Sequence, residues 1–164
     1  MNKTGFIDTK KTAIHCWVDG GVRGNGKKNA IGAWACILTF KGHEKEYSRA
    51  EVGVTNNQME MKAIIAAMVA ITKKEVPVVI HSDSAYVINA IKKESYKLWQ
   101  MNGWRTTAKK PVANKELWER LLLEMEKFEW IDFVKVKGHS DNEGNNRADL
   151  LVNIAMDNFK MEEK

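Results

Sequence analysis

Four acidic residues stand where the surrounding pattern calls for something else. Asp19 ends the apolar run AIHCWVD, which reads as a buried strand, and an unpaired carboxylate there is costly. Glu60 opens a helical stripe that continues through Ala63, Ile64, Ala67, Met68 and Ile71 at steps of three and four. Asp83 directly follows the apolar run VPVVIHS, and the carboxyl end of a strand is where open α/β sheets place ligands. Asp149 lies in the last helical pattern, on a face shared with Val152, Asn153 and Met156. Each acid has an ordinary explanation when taken alone: a turn cap for Asp19, a helix-dipole partner for Glu60, an N-cap for Asp83, a solvated surface acid for Asp149. Gathered together, three or four carboxylates would make a hard oxygen site of the kind Mg²⁺ prefers. Two such ions about 4 Å apart can activate a water and stabilise the leaving oxygen during in-line attack on a phosphodiester.

A second feature carries the opposite charge. The 164 residues hold 26 Lys and Arg against 21 Asp and Glu, a formal charge of +5. From Lys92 to Arg120 there are eight basic residues and three acidic ones, so this stretch accounts for the whole excess and the remainder is balanced. Trp99, Trp104 and Trp118 are interleaved with these cations. Such a patch favours a polyanion over a small neutral ligand, and cations set among tryptophans can grip phosphates and stack on sugars or bases.

The elements that must position these groups follow from the pattern. Residues 13–19 form a first strand, with GGVRGNG as the turn after it; residues 31–40 and 44–54 form two more, joined by Lys41-Gly42-His43. Thr55 to Gln58 fits a capping box, starting a helix that runs to about Lys73. Residues 76–82 make a fourth strand buried on both faces, followed by a helical segment from Ser84. Gly103 interrupts helical character between Trp99 and Trp104, and Asn114 starts a helix through Lys127. Residues 130–136 are a fifth strand and residues 145–159 a last helix. Three consecutive strands with short turns, then strands separated by helices, predict a mixed α/β (α+β) fold: a five-stranded sheet with an antiparallel meander plus parallel strands, flanked by helices.

Length and composition predict one domain over 13–160, including a basic stretch at about 92–113, after a loose tail at 1–12. Two cysteines, Cys16 and Cys36, are too few for a disulfide framework or a four-ligand zinc site, and both sit in apolar runs as small buried hydrophobes do. The longest apolar run, Ala63 to Ile71, is nine residues, against the ~18–20 of a membrane span. The tail MNKTGFIDTKK lacks an apolar signal core. The expectation is a soluble, cytoplasmic monomer without membrane contact.

Five segments occur in a telling order: VDGGVRGNG, TNNQMEMKAIIAAM, HSDSAYVINAI, GWRTTAKKPVANKELWERL and VKGHSDNEGNNRADLLVN, spanning most of residues 14–158. In these the chain resembles ribonuclease H of the bacterial type (type 1). The resemblance implies a ribonuclease H-like fold and metal-dependent endonucleolytic cleavage of the RNA strand of RNA/DNA hybrids, leaving 3′-hydroxyl and 5′-phosphate ends. It implies that Asp19, Glu60, Asp83 and Asp149 are catalytic acids holding two Mg²⁺ ions, with Mn²⁺ as a substitute, and that His139 assists proton transfer or product departure. It further implies hybrid contacts from Gly20, Asn25, Thr55, Asn56 and Asn57, with Asn25 and Thr55 holding a DNA-strand phosphate. The basic protrusion contributes Lys92, Lys93, Lys97, Trp99, Trp104, Arg105, Lys109 and Lys110, while Trp118 packs into the core.

Two departures from the family pattern bear on affinity rather than on the reaction. Gln100, Met101 and Asn102 stand where relatives often cluster cations, and Ala85 stands where many carry a substrate-contacting Gln. Two rival functions share some of these features. One is another nuclease or strand-transfer enzyme of the same superfold, against which the protrusion, the TNNQME helix and the KGH loop argue. The other is a non-catalytic hybrid-binding module, against which the four retained acids argue.

Overall fold

The computed structural model describes residues 12–137 and 142–162, with side chains as far as 159. The expected tail and His139 lie outside the described residues, apart from Thr12. The elements are β1 (Ile14–Arg23), β2 (Ile31–Phe40), β3 (His43–Val52), α1 (Asn56–Ala70) and β4 (Val78–Ser82). They continue through α2 (Ala85–Lys92), α3 (Ser95–Met101), α4 (Lys115–Met125), β5 (Ile131–Lys135) and α5 (Glu143–Glu162). The sheet order is β3-β2-β1-β4-β5, antiparallel across β1, β2 and β3 and parallel across β1, β4 and β5. This is the mixed five-stranded architecture that the pattern predicts.

β1 runs four residues further than expected, because the first two glycines of GGVRGNG are strand residues: Gly20 pairs with Trp34 and Gly21 with Ala33. Gly20 is small for reasons of packing. A Cβ there would collide with the Met59 carbonyl and the Glu60 amide of α1, so the helix backbone lies directly on the strand. The turn itself begins at Gly24, whose φ of +76° suits a residue without a side chain.

The capping box forms as the sequence indicates. Gln58 N–H donates to the Thr55 hydroxyl oxygen at 3.2 Å, and Thr55 N–H donates to the Gln58 side-chain oxygen at 2.9 Å. α1 stops at Ala70, three residues short of expectation, and Ile71 turns to extended backbone. β-Branched Ile71 and Thr72 favour that turn, and Ile71 keeps its side chain in the core. Between β4 and β5 the chain forms three helices where two were expected. Glu94, in a left-handed conformation at φ +55°, separates α2 from α3.

One sheet face carries Cys16, Val18, Ile80 and Phe133 into the main core with α1, α2 and α4; Trp118 of α4 is fully buried there. The opposite face meets α5 through Ala33 and Ala35 against Val152 and Met156. α5 seats closely because Gly144 lies on the Trp17 indole, where any Cβ would overlap the ring. Arg147 ties the same helix to the edge strand, donating to Glu44 at 2.9 Å and to Glu46 at 2.8 Å.

Candidate active site

The parallel register brings two of the acids together. Val18 of β1 lies beside Ser82 of β4, so the next residues along the two strands, Asp19 and Asp83, stand side by side. Glu60 reaches the same place from α1 over the bare backbone of Gly20, and Asp149 approaches from α5. All four line one cavity of about 420 Å³. The α5 wall adds Asn145 and Asn146, and the start of α2 adds Ser84, Ala85 and Tyr86.

Asp149 is exposed, as a surface acid is, but the ordinary explanations for the other three acids do not hold in the folded chain. Ser84, not Asp83, caps α2: its hydroxyl oxygen accepts from Val87 N–H at 3.1 Å. Glu60 lies beyond the first turn of α1, and it is 9% exposed with Asn56 Nδ2 donating to its Oε1 at 2.7 Å. Asp19 is 7% exposed within β1 and caps no turn.

Crowding of like charges in a dry place raises proton affinity. Burial, then the charges of Asp83 and Asp149, push Asp19 up to about 8, against a bond from the Gly20 backbone. Burial pushes Glu60 up to about 7, with the neighbouring Ser84 hydroxyl pulling it down and Asp83 adding to the rise. At neutral pH the cluster therefore holds protons that a cation would displace.

The donor set fits a hard divalent cation. Four carboxylates face one cavity, and on its α5 wall the buried side-chain oxygen of Asn145 has no hydrogen-bond partner among the described residues. Among those residues no three acidic, histidine or cysteine side chains close into a ready-made cage. An open arrangement suits Mg²⁺, which keeps several waters and completes its shell with substrate phosphates.

The residues expected to contact substrate fall into two groups. Gly20, Asn56 and Asn57 line the cavity. Asn25 Oδ1 accepts from Asn56 N–H at 3.3 Å, which joins the glycine turn to the start of α1 beside Thr55. The basic stretch stands apart from this cavity. Lys92 pairs with Asp132 at 3.0 Å and Lys97 with Glu94 at 2.7 Å, while Arg105 donates to the Lys109 carbonyl at 2.9 Å. Lys93, Lys109 and Lys110 are exposed and make no ion pair among the described residues.

Trp99 and Trp104 are half-buried rather than free platforms. Trp99 packs edge-on against Trp118 at 5.3 Å and tilts against Trp104 at 6.1 Å. Met101, beside Gln100 and Asn102, is 81% exposed. Sequence reasoning missed Ser84, Tyr86 and Asn145. Ser84 was legible as the better cap next to Asp83, whereas only the folded chain brings Tyr86 and Asn145 to the cavity.

Comparison with known proteins gives the family and the fold. The family model described as RNase H matches residues 11–157. A ribonuclease H of Clostridium botulinum is 47% identical over 152 residues, covering 93% of this chain and 99% of that protein. One of Chlorobium phaeobacteroides is 44% identical over 149 residues, covering 91% and 97%. Among solved structures, LC11 ribonuclease H1 in complex with an RNA/DNA hybrid superposes with a TM-score of 0.67 at 25% identity, covering 89% of this chain and 98% of that one. The ribonuclease H1 of Halobacterium salinarum shows the shared fold, with a TM-score of 0.63 at 24% identity over 89% and 98% of the two chains. With the family model spanning nearly the whole chain and relatives this similar over their full length, the chain belongs to the bacterial-type ribonuclease H family of enzymes.

Proposed function

We propose that the protein is a metal-dependent endonuclease that hydrolyses the RNA strand of RNA/DNA hybrids, leaving 3′-hydroxyl and 5′-phosphate ends. The observation that carries this reading is the meeting of Asp19, Glu60, Asp83 and Asp149 in one cavity, with Asp19 and Glu60 pushed up to about 8 and about 7. The solved relative that holds an RNA/DNA hybrid supports the substrate. Two Mg²⁺ ions, or Mn²⁺ in their place, held by these four acids would supply water activation and charge stabilisation at the leaving oxygen.

The chain's own residues do the rest. Asn56 orients the Glu60 carboxylate, and the absent side chain of Gly20 leaves room for α1 to bring it in. Asn25, Thr55, Asn56 and Asn57 offer amides and a hydroxyl to the hybrid, where side-chain amides can distinguish a 2′-hydroxyl across a shallow minor groove. Thr55 serves as cap and contact together, since a helix start is also an anion site. Lys92, Lys93, Lys97, Arg105, Lys109 and Lys110 hold phosphates, with Trp99 and Trp104 beside them. His139 carries a proton away from the reacting centre or eases product departure. We assign the protein to the cytoplasm as a monomer; among the described residues no helix is long and apolar enough to cross a membrane.

A strand-specific assay tests the reading. With each strand of a hybrid labelled in turn, Mg²⁺-dependent cuts are expected in the RNA strand alone. Cleavage of duplex DNA at a comparable rate would replace this reading with a general nuclease of the same superfold. Hybrid binding without any cleavage would replace it with a binding module.

A further inference from the structure

Tyr86 lies three residues after Asp83, in the first turn of α2, and lines the acid cavity. Its hydroxyl accepts two hydrogen bonds from the far end of the basic stretch: Trp118 Nε1 at 3.2 Å and Asn114 Nδ2 at 3.3 Å. Trp118 is fully buried, and an indole N–H can only donate, so Tyr86 supplies the acceptor this ring requires. Trp118 in turn carries the protrusion. Its ring meets Trp99 edge-on at 5.3 Å, and Trp99 tilts against Trp104 at 6.1 Å.

The basic residues hang on those two tryptophans. Trp104 N–H donates to the Trp99 carbonyl at 2.6 Å, and the Trp104 carbonyl accepts from Val112 N–H at 2.9 Å. The loop between 104 and 112 carries Arg105, Lys109 and Lys110, closed by the bridge between Arg105 and Pro111. The other exit of that loop is Asn114, held in a left-handed conformation at φ +61° and bonded to the same Tyr86 oxygen. One hydroxyl thus holds the chain at two points just after the cationic loop, and through Trp118 and Trp99 reaches the residue that begins it, while Tyr86 also lines the cavity.

We infer that Tyr86 is a positioning residue that sets the basic protrusion at a fixed distance and angle from the acid cavity, so that a duplex held by the cations enters the cavity in cleavable register. This rests on the cavity and the protrusion forming one nucleic-acid site. It adds a coupling between them that neither part requires on its own. The role belongs to the oxygen, because a Phe at this position keeps the tilted ring contact with Trp118, 5.9 Å between centroids, and removes only the acceptor.

The test is Tyr86→Phe, measured against wild type in three ways: hybrid affinity by fluorescence anisotropy in EDTA, KM and kcat with Mg²⁺, and Tm. Loss of the shared acceptor is expected to weaken hybrid affinity and raise KM about fivefold, the order of one net hydrogen bond, with kcat within about twofold. Trp118→Phe removes the donor on the other side and is expected to shift affinity the same way. The double variant should then weaken binding by less than the sum of the two single effects, because the Trp118 bond is lost in both. A lower Tm with unchanged affinity and KM would reduce Tyr86 to a core hydrogen bond and overturn the inference. A fall in kcat at unchanged KM would also overturn it, by placing Tyr86 in the chemical step. Failure of the wild-type protein to bind the hybrid in EDTA would overturn the reading of the whole site, an outcome distinct from wild-type binding that Tyr86→Phe leaves unaltered.

Discussion

Asp19 and Glu60 are 7% and 9% exposed, whereas Lys93, Lys109 and Lys110 stand in solvent. The two regions carry opposite charges, and the difference in burial matters more than the difference in sign. Carboxylates crowded in a dry cavity repel one another strongly and take up protons; cations on an exposed loop are screened and feel their neighbours weakly. The acid cavity is therefore unfavourable as a set of bare anions and would gain from a divalent cation. The basic stretch is stable as it stands and gains only from a polyanion that spans several of its charges. On the function proposed above, cutting would use the buried charge at a fixed point and gripping the exposed charge spread along a surface.

The sharpest way to break this comparison is Asp19→Asn. Removing one carboxylate should cut Mg²⁺-dependent cleavage by two to three orders of magnitude, about the effect of losing a major transition-state contact, while hybrid binding in EDTA survives. The same change should raise the Tm of metal-free protein at pH 8, since it removes a buried repulsion. A metal-free Tm that falls instead would mean that the cavity is not electrostatically strained.

A pH series without metal probes the same asymmetry at the level of stability. Asp19 and Glu60 hold protons in the folded chain up to about 8 and about 7, well above their unfolded values. The folded state therefore binds more protons than the unfolded state in this window. Their contribution to stability is complete below pH 4 and is lost as pH rises through 7 to 8, on the order of a few kcal/mol. Urea titrations at pH 5.5 and 8.5 in EDTA should show this decline, Mg²⁺ should recover most of it at the higher pH, and Asp19→Asn should flatten it.

Smaller effects are expected from the basic side. Lys109→Ala or Lys110→Ala should weaken hybrid binding and lower the slope of log affinity against log salt by about one each, leaving kcat at saturating hybrid unchanged. An unaltered slope would return the stretch to an ordinary solvated surface. Smallest of all is Arg147→Ala. The guanidinium is exposed, so although it bonds both Glu44 and Glu46 its loss should cost under about 1 kcal/mol in denaturant titrations.

Local features were the most legible. The Thr55 to Gln58 capping box forms as its spacing indicates, because a cap is completed within four residues. The meander of β1, β2 and β3 was readable from short turns between apolar runs. The glycines after Asp19 were misread as a turn, since in sequence a glycine that makes room for a helix looks like one that makes a bend. The tryptophans of the protrusion suggested a stacking surface, whereas Trp104 leans on Trp99 and Trp99 packs on Trp118, a partner 19 residues away in the chain.

The sequence by itself determined the five strands and most of the helices, the acids worth watching and the confinement of the +5 charge to one stretch, because helix caps, strand periodicity and charge are local properties. Tertiary structure alone decided that the acids meet. Asp19 and Asp83 are neighbours through the parallel register of β1 and β4, Glu60 arrives over Gly20, and Asp149 comes in on a helix seated against Trp17 by Gly144. It also decided that one tyrosine oxygen joins this cavity to the cations, a link between positions 28 and 32 residues apart. Like charges draw together in this way only when the packing of the whole sheet and its helices outweighs their repulsion, and that is a property of the folded chain rather than of any segment of it.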